Sequence, residues 1–146
     1  MNEKESMYMW KIYASHHESI CVQSTYRKLA LLLPDDAFVG IVKYIDYDTD
    51  YIDVTFAFNY IVHKRQSFSH ERELRAVIWP PCVKGSLESM DGRGFLVPVD
   101  PEVLIENIYV SPDSESMFRD VVLQLARTYG LSASVHKSDV NAPPAY

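Results

Sequence analysis

The sequence predicts an α+β domain: a mixed or mainly antiparallel sheet of five to six strands with helices packed on it. Three observations carry this. Residues 114–129 place Met117, Phe118, Val121, Val122 and Leu125 on one helical face. Residues 38–47 alternate as a strand does, with Val39, Ile41, Lys43 and Ile45 on one side and Gly40, Val42, Tyr44 and Asp46 on the other. Further apolar runs of strand length are divided by Pro, Gly and Asp turns.

Taken in order, residues 3–15 read as a helix, because Met7, Trp10 and Tyr13 with Ala14 recur every three to four positions. Ser19–Thr25 holds a short strand, Ile20-Cys-Val-Gln. Tyr26–Leu33 reads as a helix stopped by Pro34 and the Asp35-Asp36 turn. After the strand at 38–47, Asp48–Asp53 is turn-rich, and Phe56–Arg65 forms a helix or tight turn. A strand at 71–79 follows, ended by Pro80-Pro81, which cannot donate to a ladder. The loop to Gly94 carries Gly85 and Gly92 and is expected to be mobile. Phe95–Val99 and Ile105–Val110 are further strands, separated by a turn at Pro101. Asp113 is the expected N-cap of the 114–129 helix, Glu115 suits its positive end, and Gly130 stops it. A last strand near 133–138 leads to a flexible tail at 141–146, leaving one domain over 1–140.

A chain of 146 residues, 47% hydrophobic and 23% charged, can bury a core without disulfides or metal. Its formal charge of −6 argues against a nucleic-acid partner, which calls for clustered Lys and Arg. Lys64, Arg65, Arg72 and Arg75 do cluster, but Glu71 and Glu73 stand among them. Cys21 and Cys82 read as thiols of a reducing compartment. The opening Met-Asn-Glu-Lys-Glu-Ser is unlike a signal peptide, and no apolar run has the length of a membrane span. A cytoplasmic protein without a membrane partner is expected.

The strongest candidate site is Glu71, Glu73 and Arg75. If 71–79 is extended, these three share a face with Val77 and Trp79, roughly 6–7 Å between successive members. Paired carboxylates beside a guanidinium can divide acid and base roles, or the Arg can clamp an anion; they are also the catalytic candidates. The plainer reading is a solvated strand face. No metal site is expected: His16 and His17 diverge on a helix, and Leu74 replaces the second His of the motif that His70-Glu71 begins. Asp46-Tyr-Asp-Thr-Asp50 lacks the Gly and Glu of a calcium loop, and Gly92-Arg-Gly94 lacks a third glycine, so no cofactor is expected. The first half is rich in tyrosine, which reads mainly as core and interface packing with hydroxyls at the rim, against a stacking surface for a base.

Trp10-x-x-Tyr13-Ala14, Ile20-Cys21-Val22 entering a helix, Val42-Lys43-Tyr44 and Lys64-x-x-x-Phe68-x-x-Glu71-x-Glu73-x-Arg75 form an ordered series. Across residues 7–110 the chain resembles the bacterial domain-of-unknown-function family 2971. That family has a Trp-x-x-Tyr-Ala helix, a Gly-x-Cys-like strand, and a Lys-x-x-x-aromatic-x-x-Glu-x-Glu-x-Arg segment opening a strand. Ser19 stands where the family usually has Gly. Family members also usually begin with a segment holding an Asn-Asp-Pro-like turn, after which this chain starts, as suits a trimmed core from a small mobile gene. The resemblance implies a site of Trp10, Tyr13, Tyr44, Lys64, Glu71, Glu73 and Arg75.

The expected function is therefore a small-ligand-binding or regulatory protein, with homodimerisation in view. Arg75 or Lys64 would hold an anionic or nucleotide-like ligand, the carboxylates would take its donors, and the aromatics would close over a ring. One rival is a diverged ADP-ribosyltransferase-like enzyme, which Ser24-Thr25 ahead of Glu71-x-Glu73 weakly resembles, although the Arg expected before the serine strand is missing. Another is a pocketless homo-oligomeric interaction module.

Overall fold

The computed structural model describes residues 5–14, 16–79, 87–89 and 93–143. In chain order its elements are helix α1 (Met7–Tyr13), strand β1 (Ile20–Gln23), helix α2 (Tyr26–Leu32), strands β2 (Ala37–Ile41) and β3 (Lys43–Ile45), helix α3 (Asn59–Val62) and strand β4 (His63–Arg65). A 3-10 helix (Gln66–Glu71), strands β5 (Leu74–Ile78), β6 (Glu88–Ser89) and β7 (Phe95–Leu96), helix α4 (Pro101–Leu104), strand β8 (Asn107–Val110), helix α5 (Ser116–Thr128) and strand β9 (Ser134–Lys137) complete the series. The class is α+β, as the sequence predicts.

These elements group into two compact units, one of Pro34–Val97 (the inserted unit) and one of Lys4–Leu33 with Pro98–Tyr146 (the terminal unit). In the terminal unit β8 is central, paired antiparallel with β1 and parallel with β9. A parallel pair needs a crossover, and α5 supplies it. Ile108 and Val110 alternate with Asn107 and Tyr109 along β8, and they form the core with Val122 and Ala126 of α5. Val110 is 0% exposed. Ile105, Phe118, Leu131, Ala133 and Val135 pack around this nucleus.

Local sequence sets the ends of these helices. The Ser6 hydroxyl accepts from the Met9 N–H and starts α1, and Thr25 does the same for α2 through Lys28. Asp100 caps α4 by accepting from the Glu102 N–H, with Pro101 as its first residue, so the expected turn is one helical turn. Gly130, at φ +74, ends α5 as expected, because the left-handed region strains any other common residue. The expected N-cap is corrected: Glu115, not Asp113, holds that position, and it makes no side-chain cap bond. The apolar face of α5 is corrected too. Val122 and Ala126 are buried, whereas Val121, Leu125 and Met117 (69% exposed) lie on the surface, because β8 and β9 cover only the adjoining sector of the helix.

In the inserted unit β2 pairs antiparallel with β5, β3 parallel with β4, and β6 antiparallel with β7. The expected sheet of five to six strands is thus not formed. Among the described residues there is one three-stranded sheet and three separate pairs. Val42 shows why. Its N–H donates to the Glu73 carbonyl at 3.0 Å, the last bond on the β5 side, and Lys43–Ile45 then pairs with β4. The break also overturns the expected alternation of 38–47. Val42 and Ile45, three apart, are both 3% exposed, while Ile41 is 72% exposed.

The expected strand at 71–79 starts only at Leu74, since Glu71 closes the 3-10 helix and Arg72 is left-handed at φ +47. Phe56–Arg65 divides into turns, the single turn of α3 and β4. The tyrosines are not core packing: Tyr8, Tyr13, Tyr47, Tyr51 and Tyr60 are exposed, Tyr44 is half-buried, and Trp10 is the buried aromatic of the series. Expectations for Pro80-Pro81, Cys82, Gly85, Gly92 and the last three residues lie outside the described residues, as does most of the opening hexapeptide. No helix among the described residues is long and apolar enough to cross a membrane.

Candidate functional site

Five of the expected site residues come together in the inserted unit. The parallel register of β3 and β4 sets Tyr44 opposite Lys64. The left-handed turn at Arg72 separates Glu71, at the end of the 3-10 helix, from Glu73, just ahead of β5. Both carboxylates reach Lys64: its Nζ donates to Glu71 and, at 3.5 Å, to Glu73 Oε2. Arg75 grips Glu73 through two N–H groups, Nε to Oε1 at 2.6 Å and Nη2 to Oε2 at 3.0 Å, the fork that suits a guanidinium to a carboxylate. Its Nη1 donates to the Ile61 carbonyl at the end of α3. The Tyr44 hydroxyl accepts the Glu73 backbone N–H at 2.8 Å.

The expected face-sharing row is therefore replaced by a chain of contacts drawn from four elements. It is neither flat nor fully wet, because the Glu71 side chain is only 7% exposed and Lys64, Glu73 and Arg75 are each about a quarter to a third exposed. Phe68 covers one side, its ring centroid 4.7 Å from Lys64 Nζ. The hydrogen bonds from Arg75 hold the Glu73 carboxyl below the ordinary glutamate range, with the Lys64 charge adding to the effect. Bonding to Glu71 pushes the Lys64 ammonium up, and bonding to Glu73 pushes Arg75 up. Each of these three shifts favours the charged form, and the two basic side chains are matched in the ion pairs by the carboxyls of Glu71 and Glu73.

Beside this cluster lies a cavity of about 260 Å³ that the sequence did not announce. Phe38, Val77 and Arg75 from the β2–β5 pair form one side, with Phe56, Phe58 and Val62 across from them. Phe58 is the hub of the rings, 4.8 Å from Phe38, 5.4 Å from Phe56 and 5.9 Å from Trp79 between centroids. Gly40, opposite Arg75 in the ladder, belongs to the wall, and a Cβ there would stand 3.4 Å from Val62 Cγ1. The available signal was Phe56-x-Phe58 ahead of a helical turn, two aromatics at a spacing that no core stripe of that helix requires.

Trp10 and Tyr13 are not among these residues, for they belong to the terminal unit. The Trp10 indole donates to Glu5 at 3.0 Å, and Glu5 also accepts from the Ser138 hydroxyl, which ties α1 to the end of β9. Both aromatics line a second cavity of about 250 Å³ with Met9, Ile20 and Cys21. Desolvation and the Glu5 charge push the Cys21 thiol up, away from the reactive thiolate. A third cavity of the terminal unit, about 770 Å³, is bordered by Lys11, His16, His17, Glu18, Asp113 and Glu115.

Ser24 and Thr25 have structural partners in the same unit: Ser24 donates to the Leu104 carbonyl, and Thr25 caps α2. Asp46 and Asp50 accept from backbone N–H groups of their own turn. Among the described residues no group of three or more His, Cys, Asp and Glu side chains is placed to hold a metal ion. Comparison of the chain with family models, with curated proteins and with solved structures gave no match.

Proposed function

We propose that the protein is a small-ligand-binding or regulatory protein whose pocket is the aromatic cavity of the inserted unit. The observation that carries the reading is Arg75: a half-buried guanidinium, oriented by Glu73 and the Ile61 carbonyl, at the wall of a cavity lined, apart from Asn59, by rings, aliphatic side chains and Gly40. Apolar walls with a few fixed polar groups are what a small-molecule site needs, the first for affinity and the second for orientation. Tyr44, Lys64, Glu71 and Glu73 serve as the frame that positions Arg75, rather than as groups that close on the ligand.

Membership of the domain-of-unknown-function family 2971 is part of this proposal. Its support is that the motif residues Tyr44, Lys64, Phe68, Glu71, Glu73 and Arg75 form one bonded cluster. A cytoplasmic location and homodimerisation belong to the same proposal.

The test is a thermal-shift screen of the purified protein against nucleotides, sugar phosphates, divalent metals and small aromatic compounds. A ligand at about 100 times its Kd adds roughly 2.7 kcal/mol of stability, a rise of several degrees. A hit that is lost when Val77→Trp fills the cavity supports the reading. A complete absence of hits would move the weight to a pocketless interaction module.

A further inference from the structure

Resting on that reading, we infer that the pocket takes a small uncharged molecule of a single ring that presents one carbonyl acceptor, and not a nucleotide or a phosphate ester. Three properties of the site lead there. The first is size. About 260 Å³ falls below the roughly 300–1,000 Å³ of sites for drug-sized ligands, a size that one ring with a short substituent suits.

The second is charge. Lys64 and Arg75 are already matched by Glu71 and Glu73. A phosphate would bring negative charge close to the Glu71 and Glu73 carboxyls, where the basic groups are already engaged in ion pairs. Anion capture by Arg75 or Lys64, which the residue types alone suggest, is therefore disfavoured by their pairing. The third is the donor. A guanidinium has five N–H groups, of which Arg75 engages three among the described residues, one each on Nε, Nη1 and Nη2. The two remaining N–H groups, one on each Nη, have no acceptor among the described residues, and the Asn59 amide on the same wall already donates to the Asp53 carbonyl at 2.7 Å. The ring faces of Phe38, Phe56 and Phe58 supply the rest of the contact.

Four probes separate the alternatives by NMR titration of the whole protein: acetophenone, ethylbenzene and benzoate, which are of similar size, and AMP. Acetophenone is expected to shift the signals of Phe38, Phe58, Gly40 and Val77. Ethylbenzene, which lacks the acceptor, should bind about tenfold more weakly, the worth of one hydrogen bond. Arg75→Met, which has no N–H to donate, should abolish the preference for acetophenone over ethylbenzene, whereas a merely distorted cavity would weaken both alike and keep the preference. Val77→Trp should exclude both and keep the rest of the spectrum dispersed. Tighter binding of benzoate or AMP at the same residues would overturn the ligand class and leave the pocket standing. Shifts confined to other residues, or none with any probe, would overturn the pocket itself.

Discussion

The two units of this protein are held together by different forces. The terminal unit has a dry nucleus of Ile108, Val110, Val122 and Ala126, built by a β8–α5–β9 crossover. The inserted unit buries Val42 and Ile45 but leaves Phe38, Ile41 and Phe56 at its surface, and its short strands are tied by Lys64, Glu71, Glu73, Arg75 and Tyr44. Burial of apolar surface is not screened by salt and, over a wide range, does not respond to pH. Partly exposed ion pairs are neither. The difference teaches where function is easier to place: residues joined by directional polar contacts and an unfilled aromatic cavity can reorganise around a ligand, whereas a close-packed nucleus cannot.

The sharpest test of the contrast is Val110→Ala, which removes two methyl groups from a fully enclosed site and should cost about 2–3 kcal/mol in denaturant unfolding. Hydrogen exchange should show the loss in β8, α5 and β9. Next is Glu73→Ala, expected to cost about 1–2 kcal/mol because Arg75 and the Lys64 ammonium lose an acceptor in a half-buried setting. Its exchange signature should appear in β2, β4 and β5. An effect spread equally over both units would break the comparison.

The pH response follows from the same cluster. The Glu73 carboxyl is held below its ordinary value, so its contribution is complete above about pH 4.3 and is lost as pH falls through the lowered value. Lys64 is raised, so its contribution is complete below about pH 10.4 and is lost as pH climbs past the raised value. Acid exchange should therefore open the inserted unit first. Glu102 of the terminal unit is also lowered, by bonds from Ser132, but it is exposed and solvent screens it. Gly130→Ala should cost about 1 kcal/mol by forcing a Cβ into the left-handed region at the end of α5. The smallest effect expected is a gain: Glu115→Ser installs the missing cap and should add roughly 0.5–1 kcal/mol.

Much of the terminal unit was legible, because its cues are local. Ser6, Thr25, Asp100 and Gly130 act on backbone groups within four residues of themselves, and the 3.6-residue period marks α5 wherever the helix lies. Which sector of α5 is buried was not legible, since Met117, Val121 and Leu125 are as apolar as Phe118, Val122 and Ala126, and only the strands alongside decide between them. In the inserted unit, Glu71, Glu73 and Arg75 could be named as partners from their types and closeness. Their geometry could not: the row depended on an unbroken strand, and the left-handed Arg72 carries no residue signature that would reveal it.

The sequence by itself determined the α+β class, the positions of most helix ends, the strands at β1, β2, β8 and β9, and the charged residues from which a site would be drawn. Each of these rests on neighbours in the chain or on composition. Only the tertiary structure decided that the strands form one small sheet and separate pairs, that Lys64 bridges two carboxylates, and that Phe38 meets Phe58 beside Arg75. Those outcomes turn on which distant segments pair, and pairing is set by the summed burial and hydrogen bonding of whole elements, which no local stretch of sequence contains.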